Sequence, residues 1–126
     1  MALVTNVDLK LKINLDTSIK YQILTHCFFN NILISNSDLK FLTVLAENSK
    51  IEISKFCILL TDKGIFKSPQ SARNAISKAE RKNLLVKSGT NKKTISINKS
   101  LNVQTKGLVL LNYKILGSES QETYRI

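Results

Sequence analysis

The sequence predicts an α+β fold: a leading strand, a core of three to four short helices, and a β-hairpin after the last of them. Three observations carry this. Apolar and polar residues alternate at the front of the chain; apolar residues then recur every three or four positions through four segments, most of them with capping residues at their start; and the alternation returns on both sides of a polar Ser-Gly-Thr-Asn turn. The 126 residues, 43% of them apolar, suffice for a single domain whose core needs neither metal nor disulfide.

In LVTNVDLKLKINL, Val7, Leu9, Leu11, Ile13 and Leu15 fall on one side and Asp8, Lys10, Lys12 and Asn14 on the other, so residues 1–16 read as an N-terminal strand or arm. Asp16 and Thr17 can cap a helix, and Ile19, Ile23, Leu24, Cys27 and Phe28 recur at helical spacing through SIKYQILTHCFFNN. ILIS is either a short strand or a connection. Ser37 or Asp38 offers the next cap, and Leu39, Leu42, Leu45 and Ala46 line one face of SDLKFLTVLAEN. EISKFCILLTDKGIF repeats the pattern through Ile53, Phe56, Cys57 and Leu60, with Gly64 as a left-handed stop. A fourth helix over 68–83 opens on Ser68 as N-cap and Pro69 at the first helical position, where an N–H would lack a partner anyway. Its buried stripe, Ala72, Ala75, Ile76 and Ala79, is narrow.

LLVKSGTNKKTISIN then reads as a hairpin around Ser88, Gly89, Thr90 and Asn91. Helices and hairpin together take residues 17–101. GLVLLNYKIL supplies a C-terminal strand within 102–116 that pairs with the hairpin or with the N-terminal strand, and 117–126 read as a mobile tail.

The formal charge is +10, from 19 basic and 9 acidic residues. With 16 Lys, 12 Asn and 14 Ile the chain has the composition of an AT-rich genome, which raises lysine without selection for binding. The distribution is therefore more informative than the total. Residues 1–62 set six Lys against six acids and residues 107–126 set two bases against two acids, whereas residues 63–106 hold eleven bases against Glu80 alone. A mutational bias would spread the charge evenly. Its concentration points to a basic face with an anionic partner.

Catalysis finds little support. His26 is the only histidine, no Gly-rich phosphate loop occurs, and Asp62 beside Lys63 and Gly64 reads as turn chemistry. Cys27 and Cys57 stand in apolar surroundings without CxxC spacing, so they read as buried reduced thiols. A non-enzyme without catalytic residues, metal or cofactor is expected. No apolar run reaches the 18 or so residues that a span needs, and no charged leader precedes one, so neither membrane attachment nor secretion is expected.

From about Ser37 to Leu101, the Ser68-Pro69 start, SARNAISKAERKNLLVKSG running from helix into strand, and the TISINKSL return strand resemble a winged helix-turn-helix domain. Similar domains serve phage and plasmid DNA-binding proteins, and also phage structural proteins that no longer read sequence. The resemblance implies a duplex-DNA reader, cytoplasmic, that works through the fourth helix and a basic wing. Gln70, Arg73, Asn74, Ser77 and Arg81 share one face of that helix, and such side chains suit a major groove, because Gln and Asn can pair bidentately with adenine and Arg with guanine. Lys87, Lys92 and Lys93 would set the wing against phosphates, adding salt-dependent affinity. The alternative is a virion structural or assembly component, a ring or connector in which the winged-helix body is a packing module and edge strands bind other copies or other phage structural proteins.

Overall fold

In a computed structural model of the protein, residues 4–11, 14–106 and 109–116 are described. The proposed tail 117–126, and the parts of the two flanking segments at 12–13 and 107–108, lie outside the described residues. The chain forms two compact units. One contains strands β1 (Val4–Leu11) and β5 (Val109–Leu116), and the other spans Leu15–Lys106.

β1 and β5 pair antiparallel along their whole length, with Leu9 opposite Leu111 and Leu11 opposite Val109. Of the two pairings open to the C-terminal strand, the one with the N-terminal strand is formed.

The second unit contains α1 (Leu15–Phe29), α2 (Asn36–Asn48), β2 (Ile51–Glu52), α3 (Ile53–Asp62), α4 (Pro69–Arg81), β3 (Leu85–Ser88) and β4 (Thr94–Ile97), in that order. β2, β4 and β3 form an antiparallel sheet in that spatial order, with Ile51 opposite Ile95 and Leu85 opposite Ile97. This α+β arrangement, with its four helices and small three-stranded sheet, is compatible with a winged helix. The core draws on every helix and on the hairpin: Ile19, Ile23, Phe41, Leu42, Leu45, Phe56, Leu60, Ile76, Leu84, Leu85 and Ile95 are all fully buried. Phe41 meets Phe56 edge-on at 6.3 Å and a tilted Phe66 at 5.9 Å, which fastens α2 to α3 and to the α3–α4 connection.

The element boundaries correct the sequence reading at four places and, at ILIS, select one of its two alternatives. Leu15 is the first residue of α1 rather than the last of a strand, and Asp16 and Thr17 lie in its first turn. The α2 cap is Ser35, not Ser37 or Asp38. Ser35 Oγ accepts from the Asp38 N–H at 3.1 Å while the Asp38 carboxylate accepts from the Ser35 N–H at 3.2 Å, a reciprocal pair that satisfies two donors at once. ILIS is a connection: Asn31 adopts φ 55° and the Ile32 N–H closes α1 on the Cys27 carbonyl. β2 precedes α3, where a continuous helix start was expected, and α3 ends at Asp62 because Gly64, at φ 75°, turns the chain. Finally, Leu24 and Phe28, placed by spacing on the inner face of α1, are exposed.

The fourth helix follows its sequence closely. Ser68 Oγ accepts from the Ser71 N–H at 3.2 Å, Pro69 holds the first position, and Ala72, Ala75, Ile76 and Ala79 are buried. Asn83, left-handed at φ 61°, ends the helix and lets the Leu84 N–H reach the Ala79 carbonyl, so the chain passes directly into β3.

Candidate nucleic-acid interface

Because the inner stripe of α4 is nearly all alanine, the helix seats close to the core and turns its opposite face outward. Gln70, Arg73, Asn74, Ser77 and Arg81 all lie on that outer face and all are exposed. Gln70 Nε2 donates to Asn74 Oδ1 at 3.1 Å, joining the two carboxamides into one platform. Arg73 Nη2 donates to Ser54 Oγ at 3.0 Å, which leans its guanidinium toward the start of α3. Among the described residues, the side chains of Ser77 and Arg81 have no partner within the chain.

The hairpin presents its lysines unequally. Gly89 takes φ 81°, where an added Cβ would come within 3.0 Å of Thr94 Oγ1, and Asn91 and Lys92 follow at φ 56° and 53° through a 3-10 turn. This tight tip leaves Lys92 and Lys93 exposed. Lys87, on β3, is half-buried and pairs with Glu80 at 3.3 Å, so the one acid of the basic stretch is matched within the chain. An ion pair this exposed contributes little to stability. Its consequence is electrostatic: no unpaired carboxylate stands on the α4 face or the hairpin.

The sequence reading also missed residues. Lys78 is one turn beyond Asn74, is exposed, and lines with Asn74 and Ser71 an open groove shared with Ser37 and Asp38 of α2. Its i+4 spacing from Asn74 was a usable signal. The Lys82 ammonium donates to the Leu33 carbonyl, a contact across 49 residues that no local pattern announces.

The two cysteines are free and buried. Burial pushes both thiols upward, and the smaller opposing influences of Lys82 on Cys27 and of Arg73 on Cys57 do not cancel it. Both therefore stay protonated and weakly nucleophilic near neutral pH. No helix among the described residues is long and apolar enough to cross a membrane. The chain matches no family model, no curated protein and no solved structure.

Proposed function

We propose that the protein binds duplex DNA, with the exposed face of the 68–83 helix in the major groove and the hairpin tip acting as a wing on the phosphates. The observation that supports this best is the composition of the α4 face: two linked carboxamides flanked by Arg73 and Arg81, with the adjacent acid held by Lys87. Carboxamide and guanidinium groups supply bidentate base contacts, and Lys92, Lys93 and Lys78 supply charge for the backbone. The test is fluorescence anisotropy of a labelled duplex across salt. With about four to five phosphates neutralised, log affinity falls against log salt with a slope of about −4, so roughly a hundredfold or more is lost between about 50 and 200 mM. No binding at the lower salt, or a slope near zero, contradicts the reading.

A second reading, as a structural component of a virion, is favoured by the β1–β5 ribbon. Among the described residues it is a sheet of two strands only, and such a ribbon is marginal in water unless further strands or a packed face support it. Leu9→Pro, which removes a mid-strand donor, would dissolve an assembly built on those edges.

A further inference from the structure

Helix α1 is apolar on both sides. Ile19, Ile23 and Cys27 are buried in the core, yet on the opposite side Tyr21 is 54% exposed, Leu24 46% and Phe28 66%, with Phe29 at 74% and Leu33 at 87% beside them. A helix that is hydrophobic all round is ordinarily covered all round. Phe28 and Phe29 meet edge to face at 5.7 Å.

We infer that this face is a self-association surface, covered by the same face of a second copy of the chain. Two observations select that occupant. The first is charge. On a molecule of net charge +10, residues 14–34 carry only Asp16 and Lys20, bridged to each other at 2.9 Å, besides His26, and the Lys82 ammonium that reaches Leu33 stands at the margin, so two copies meet here with few like charges opposed. The second is size. The five exposed side chains leave on the order of 600 Å² of apolar surface open, taking about 200 Å² for a fully exposed large side chain. That is at the upper limit for an ordinary monomer, and with its rim of Thr25, His26 and Asn30 it approaches the roughly 800 Å² per partner of a stable isologous dimer. Aromatic residues at the centre and charge at the margin, where Lys82 reaches Leu33, are the composition of such interfaces.

The inference does not rest on the DNA reading, and salt separates the two. The experiment is sedimentation equilibrium of the full chain from about 1 to 100 µM, at about 50 and 500 mM salt. A dimer is expected whose affinity holds or rises with salt, because screening relieves the repulsion between two basic chains, while duplex binding weakens. Phe28→Glu should raise the dissociation constant by about 30-fold or more. Phe28→Ser, a milder change at an exposed position, should raise it less, with far-UV circular dichroism unchanged in both. A wild-type chain that stays monomeric throughout overturns the inference. So does a dimer that dissociates with salt, or one that both variants leave intact.

Discussion

Helices α1 and α4 each bury one apolar stripe, large on α1 and small on α4, and differ almost completely on the outside. Inside, α1 contributes Ile19, Ile23 and Cys27 and α4 contributes Ala72, Ala75, Ile76 and Ala79. Outside, α1 carries Tyr21, Leu24 and Phe28, whereas α4 carries Gln70, Arg73, Asn74, Ser77 and Arg81. Folding needs only one apolar stripe per helix, so the outer residues are free to follow the demands of a partner. The contrast teaches that this chain carries two exposed faces of different chemistry. One is apolar and nearly uncharged, and the other is polar and basic.

The largest effect expected from this comparison separates the two sides of α1. Ile23→Ala, in the core, should lower unfolding free energy by about 2–5 kcal/mol. Phe28→Ser, measured by urea denaturation at concentrations where the chain is monomeric, should stay within about 0.5 kcal/mol. A comparable loss at both positions would show that the outer face is part of the monomer's own core.

Next in size is the outer face of α4. Replacing Arg73 and Arg81 together with Ala should weaken duplex binding by about 1–3 kcal/mol for each base pair no longer read, with a nearly unchanged thermal midpoint. Retained affinity in such a variant would remove α4 as the reader. On the hairpin, replacing Lys92 and Lys93 with Gln should reduce the magnitude of the salt slope by about two, with little change in sequence preference. Lys87→Gln should matter less, because Glu80 already holds that ammonium.

The smallest effect concerns the thiols. Burial holds Cys27 and Cys57 above the ordinary thiol pKa, so at alkaline pH the folded chain keeps protons that the unfolded chain has lost. Their contribution to stability is therefore complete below about pH 8.5 and is lost as pH rises through the folded values. Denaturation midpoints should drift down above that pH, and a double Cys→Ala variant should drift less.

What the sequence disclosed about these surfaces follows from how local each signal was. Ser68, Pro69 and the alanine stripe act within one or two turns, so the whole of α4 was legible, and with it the outer face that remains after the stripe is assigned. The α2 cap was not, because Ser35, Ser37 and Asp38 are all capping types and only the reciprocal bond of Ser35 with Asp38 selects among them. β2 is two residues long, too short to show a period, and is held by pairing with β4 more than forty residues away. On α1 the apolar residues surround the helix, so spacing alone gave no direction and assigned Leu24 and Phe28 to the core. The Arg73–Ser54 and Lys87–Glu80 contacts depend on tertiary placement, which no motif encodes.

The measurement that bears most directly on the division between these two faces is a duplex titration followed by amide chemical shifts of the isotope-labelled protein. Shifts should concentrate on the exposed positions between Gln70 and Arg81 and on the hairpin tip from Gly89 to Lys93, and should spare Tyr21, Leu24 and Phe28. Shifts centred on α1, or none on α4 at low salt, would contradict the account.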